Sequence, residues 1–141
     1  MKTILIATDF SPVARNAVNY GIDLAKSIGH SVTIVHVYQV PVAFADGPMV
    51  LVSLDDLRSS AEKQLDQLKS DLHHVHGNAF KVYTEAILGN VVEELQHVAD
   101  KLDPFAIVMG ATGLTGAQRV LFGSTTLFAI RKLTYPVIAV P

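Results

Sequence analysis

The chain has 141 residues with 11 Lys and Arg against 13 Asp and Glu, a formal net charge of -2, so it lacks the basic footprint needed to bind a nucleic-acid backbone or an anionic membrane. Apolar residues make up 50% and charged residues 17% of the chain, against roughly 25% charged in ordinary soluble domains, which excludes disorder and points to elements buried on two faces. The length suits one domain over residues 1–141, and the absence of cysteine excludes thiolate catalysis, cysteine-based zinc sites and disulfide chemistry.

Residues 2–7 (KTILIA) read as a short strand, apolar on both alternations, as expected of a strand covered on both sheet faces. Ser11 then suits a helix N-cap with Pro12 at the first helical position, and Ala14, Ala17, Val18, Gly21, Leu24, Ala25 and Ile28 mark one stripe of a helix that Gly29 closes. Residues 31–38 (SVTIVHVY) form a second strand, followed by a long apolar loop over 39–52 that carries Pro and Gly and is therefore suspect functionally. Ser53 caps a long amphipathic helix carrying Leu54, Leu57, Ala61, Leu65, Leu68 and Leu72 and ending near Gly77. Residues 79–86 make a third strand, 90–101 a third helix and 105–109 (FAIVM) a fully buried fourth strand. A glycine-rich loop spans 110–122, a last helix runs from Gly123 and Ser124 to about Leu133, and 136–140 form a fifth strand. No stretch approaches the ~18 apolar residues of a membrane span, and Met1 leads straight into a strand without a signal-peptide core. A cytoplasmic protein with neither a membrane nor a nucleic-acid partner is expected.

The strict alternation predicts an α/β fold, an open doubly wound sheet of five parallel strands with helices on both faces. Ligands of such sheets lie beyond the carboxyl ends of the strands, where the strand order reverses. Residues 7–12 and 110–124 compete for that place. In the second segment Gly110, Gly113, Gly116 and Gly123 let backbone N–H groups converge on an anion, and the helix starting near Ser124 presents its positive end. Ser124 and Thr125 add hydroxyls, and Arg119 is the only full positive charge in the loop. The same glycines also read as plain turn formers, and Ser124 as a helix N-cap. The loop is neither GxxxxGK[ST] nor GxGxxG, which disfavours those nucleotide-binding classes.

Gly110, Gly113, Gly123 and Ser124 do match G-x2-G-x9-G-[S/T], and the chain here resembles the ATP-binding universal stress proteins. ILIATDFSP resembles that family's first strand and turn, TIVHVY its second strand and YPVIAVP its closing strand. The resemblance implies a Rossmann-like sheet of the adenine nucleotide alpha hydrolase-like kind that binds ATP (or ADP or AMP), with Mg2+, as a stress or signalling module. It also implies that Ala7 and Asp9 touch adenine and ribose, that Val37 or Tyr38 flanks the adenine, and that Gly89 with Val91 closes the pocket. Ala111 stands where the family often has Ser or Thr, and Thr125 where it often has Val. The family pairs its closing strand in a homodimer or between tandem domains, so the same is expected of 136–140, with the end at Pro141 compatible with either. The alternative readings are a dimeric interaction protein without nucleotide and a slow ATP hydrolase.

Asp9 suits a ribose or base contact, since a carboxylate beside a triphosphate repels it; capping the first helix is its other reading. With no acidic residue, no lysine and one arginine in the loop, ATP hydrolysis is expected to be slow or absent and no residue is assigned as catalytic. His73, His74 and His76 point in different directions on a helix and lack partners at i, i+4, so they read as a solvated helix end and no metal site is assigned. His36, inside an apolar strand, reads as a hydrogen-bonded structural histidine.

Overall fold

The computed structural model describes residues 2–40, 53–112 and 123–141. The elements run β1(Thr3–Ala7), α1(Pro12–Ile28), β2(Ser31–Tyr38), α2(Leu54–His76), β3(Val82–Leu88), α3(Val91–Leu102), β4(Ala106–Gly110), α4(Ser124–Lys132) and β5(Val137–Val140). The five strands form one sheet in the order β3-β2-β1-β4-β5, and every pairing is parallel. β1 therefore lies at the centre, and the chain leaves it toward β2 on one side while β4 and β5 extend on the other. The loops after β1 and β4 diverge at this reversal and open a crevice at the carboxyl ends.

The double-sided apolar pattern of β1 follows from its position. Ile4 and Ile6 enter one core with Val18 and Ile22 of α1 and Leu65 and Leu72 of α2. Leu5 enters the other with Val35 and Ile107 of the neighbouring strands, Leu95 of α3 and Ala129 of α4. Close packing of α1 on the sheet depends on Gly21, where an added Cβ would lie 2.5 Å from Ile6 Cδ1. The predicted caps of the first two helices hold: Ser11 accepts from the Ala14 N–H, Gly29 ends α1 at φ 71°, and Ser53 accepts from the Asp56 N–H.

Boundaries differ where pairing outweighs local pattern. β3 begins at Val82, three residues later than expected, because its register against β2 runs from Val32↔Val82 to Tyr38↔Leu88. Phe80 meanwhile packs against the first core, with Lys26 Nζ 4.9 Å from its ring centroid. Phe105, expected inside the buried fourth strand, is 47% exposed and precedes it, while Gly110 joins the strand. The outer residues of the predicted helical stripes, Ile28 and Leu54, also face solvent. Pro136 lies just before β5, which occupies the sheet edge and is half-buried along its length. Among the described residues no helix is long and apolar enough to cross a membrane.

Candidate nucleotide site

A cavity of about 310 Å3 lies at the crevice between the carboxyl ends of β1 and β4, within the roughly 300–1,000 Å3 usual for small-molecule sites. Its apolar wall comes from Ala7, Val35, Val37, Val91 and Met109, side chains of the second core that reach the strand ends. Its polar wall comes from Asp9, Thr112, Ser124 and Thr125. An apolar slot facing a polar rim suits a ligand with a flat apolar part and a charged part.

The polar rim is held by a few bonds. The Gly123 N–H donates to the Ala111 carbonyl at 2.8 Å and the Ala111 N–H to the Val140 carbonyl at 2.7 Å, pinning both ends of the glycine segment to the sheet. Buried Thr126 donates its hydroxyl to the Gly110 carbonyl at 2.8 Å, which fixes the first turn of α4 over β4. Gly110 is tightly enclosed: a Cβ would lie 3.0 Å from both the Thr112 carbonyl oxygen and Val13 Cγ1, so its neighbours would have to give by a few tenths of an ångström.

Gly123, not Ser124, is the N-cap of α4, and it supplies no side-chain hydrogen bond. Ser124 is the first helical residue, and its place in the cavity wall corrects the reading of it as a cap. The other three helices are capped by the side chains of Ser11, Ser53 and Asn90. The α4 terminus thus faces the cavity without a side-chain cap, and a helix N-terminus favours an anion through its N–H groups and dipole.

Asp9 lies in the turn after β1, where its Oδ1 accepts from the Ser11 N–H at 3.0 Å. The cap of α1 is Ser11 itself, whose Oγ accepts from the Ala14 N–H, so the alternative reading of Asp9 as the cap is corrected. Of Val37 and Tyr38, the alternation of β2 brings Val37 into the cavity wall, whereas Tyr38 stacks against His36 with ring centroids 6.4 Å apart. Val91 lines the cavity but Gly89 does not: Gly89 ends β3, donates to the Tyr38 carbonyl at 3.0 Å, and lies under Glu94, whose Cγ would be 2.8 Å from an added Cβ. Gly113 and Arg119 lie outside the described residues.

Thr8, Val35, Met109, Thr112 and Thr126 also line the cavity and were not singled out from sequence. Val35 was within reach of that reasoning, because it lies two residues before Val37 on the same strand face. Thr126 was not, because its role depends on a carbonyl that only folding brings near. His36 Nδ1–H donates to the Thr8 carbonyl at 2.8 Å, in keeping with a structural histidine. Among the described residues no group of three or more His, Asp or Glu is placed to hold a metal ion.

The universal stress protein family profile matches residues 1–141. Universal stress protein MJ0531 of Methanocaldococcus jannaschii is 31% identical over 99% of this chain and 81% of its own length. Universal stress protein UspA from Lactobacillus plantarum superposes with a TM-score of 0.77 at 22% identity, covering 99% of this chain and 97% of the other. The universal stress protein from Archaeoglobus fulgidus in complex with dAMP superposes at 0.71 with 20% identity, covering 100% and 98%. These two structures share the fold, an α/β fold with one parallel sheet. A profile matched along the whole length, together with a relative above 30% identity that shares nearly all of it, means that this chain belongs to the universal stress protein family.

Proposed function

We propose that the cavity binds an adenine nucleotide, ATP with Mg2+ or its ADP and AMP counterparts, and that the protein acts as a nucleotide-responsive stress or signalling module in the cytoplasm. The observation that carries this reading is the pairing of the apolar wall, from Ala7 to Met109, with the α4 terminus that no side chain caps. A purine ring buries against the first and phosphate oxygens meet the second, with Asp9 beside the ribose. Val37 is the apolar flank in this arrangement, and Ser124 and Thr125 add hydroxyl donors. The dAMP complex of the Archaeoglobus relative supports the choice of an adenine nucleotide. Mg2+ enters with the phosphates in this reading, because Asp9 is the only carboxylate among the described residues lining the cavity and Mg2+ is commonly held by one or two carboxylates plus phosphate.

The glycine loop contains one Arg, no Lys and no acidic residue, and in this reading the module binds nucleotide with turnover slow or absent. Its output passes to partners and, through the exposed edge of β5, to a second copy or a second domain of the same kind. Thermal unfolding with and without Mg-ATP, with mass spectrometry of small molecules released on denaturation, tests the reading. Ligand at about 100 times its dissociation constant adds ~2.7 kcal/mol and raises the midpoint by roughly 8 to 12 °C. No shift and no co-purified nucleotide would transfer the function to the dimeric interaction protein. Steady-state phosphate release above roughly 1 per second would make it an enzyme.

A further inference from the structure

The turn between β1 and α1 separates two environments. Its Asp9 faces the cavity, while its Phe10 packs against the core on the opposite sheet face. Phe10 has φ 63°, a left-handed conformation that a bulky residue holds only where its surroundings impose it. Local bonds shape the turn: the Phe10 N–H donates to Thr8 Oγ1 at 3.0 Å, and the Ser11 N–H to Asp9 Oδ1 at 3.0 Å. Two bonds reach it from β2. The Thr8 N–H donates to the Val35 carbonyl at 2.9 Å, and His36 Nδ1–H donates to the Thr8 carbonyl at 2.8 Å. A carbonyl only accepts, so the proton is on Nδ1. The His36 ring also lies 4.5 Å, centroid to centroid, from the ring of Phe10. One side chain therefore holds both the entry of the turn and its strained residue, on the face the ligand does not touch.

We propose that His36 is a positioning residue for the cleft, its Nδ1–H holding the Thr8 carbonyl so that Asp9 is presented to the nucleotide. The proposal rests on the nucleotide-binding reading above. It explains a polar ring among the apolar residues of β2, and it assigns His36 an effect on affinity without contact with the ligand.

Two variants separate the hydrogen bond from the packing. His36→Phe keeps a ring beside Phe10 and Tyr38 but removes the donor; His36→Asn removes the ring but keeps an N–H at nearly the same place. Amide hydrogen exchange and AMP titration are measured on both. In His36→Phe the amides of Phe10 and Ser11 lose protection, while those of β2 keep theirs, and AMP binds roughly tenfold more weakly, the change expected from one lost hydrogen bond. His36→Asn stays within about threefold on both readouts, and in an Asp9→Asn background His36→Phe costs less than about twofold, since residues acting as a unit are not additive. Unchanged turn amides, an Asn variant as weak as the Phe variant, or full additivity with Asp9→Asn would each overturn the role of His36. Should His36→Phe not fold, tenfold weaker binding by the folded Asn variant would overturn it as well. An unsubstituted protein that binds no adenine nucleotide overturns instead the reading on which the proposal rests, and the exchange data distinguish the two failures.

Discussion

At the residue scale, adjacent positions of one strand divide between two faces of the sheet. Val37 and Tyr38 are neighbours in β2, yet Val37 enters the cavity wall and Tyr38 stacks on His36 away from it. A carboxylate at position 37 would put an unpaired charge in the apolar cavity wall that half-buried Val37 shares with Val35 and Met109, so Val37→Glu is expected to weaken ATP binding by at least tenfold. Tyr38→Ala is expected to leave affinity within about twofold. Calorimetric titration of both variants checks the assignment, and equal losses would place the base elsewhere. Gly21 shows the complementary constraint, a position where the absence of a side chain is what the packing requires.

At the element scale, α4 differs from its three counterparts in how it begins. α1, α2 and α3 each start with a side-chain oxygen on their own first-turn amides, whereas Gly123, the N-cap of α4, supplies none. Gly123 has φ -63° and ψ 156°, extended backbone open to any residue, so glycine is not demanded by its dihedral angles. Gly123→Asp is therefore expected to cap the helix and raise the stability of the ligand-free protein by about 0.5 kcal/mol. The same carboxylate would occupy the anion's place and lower ATP affinity by at least tenfold. Urea unfolding and calorimetry on one sample measure both effects, and a variant that gains stability with unchanged affinity would remove the phosphate from this helix end. Sequence spacing located this segment but left its two roles open. The choice needs the bonds from Thr126 to Gly110 and from Gly123 to Ala111, which join residues of different elements.

At the scale of the whole molecule, the parallel sheet has β5 at one edge. The Pro136 carbonyl accepts from the Ile107 N–H and the Val140 carbonyl from the Ala111 N–H. By the alternation of a strand, Ile138 also turns its backbone groups to β4, and Val137 and Ala139 turn theirs outward. An exposed apolar edge invites a second strand. In the dimer proposed here Ala139→Pro removes an outward N–H without touching the β4 ladder, so the variant is expected to be monomeric by light scattering where the unsubstituted chain is dimeric. A chain already monomeric at tens of micromolar would exclude β5 pairing as its assembly.

What the sequence determined by itself was local or periodic: the alternation of strands and helices, the caps at Ser11 and Ser53, the closure of α1 at Gly29 and the glycine spacing after the fourth strand. These are legible because capping, chain reversal and amphipathic period act over a few residues. The tertiary structure decided what depends on pairing between distant segments: the start of β3 at Val82, dictated by its register with β2, the choice of Val37 over Tyr38, and the absence of Gly89 from the cavity wall. It also decided that Gly123 rather than Ser124 is the N-cap of α4, with Ser124 its first helical residue. Neighbouring candidates of similar chemistry are separated only by the position of the surrounding backbone, and that position is set by the packing of the whole sheet.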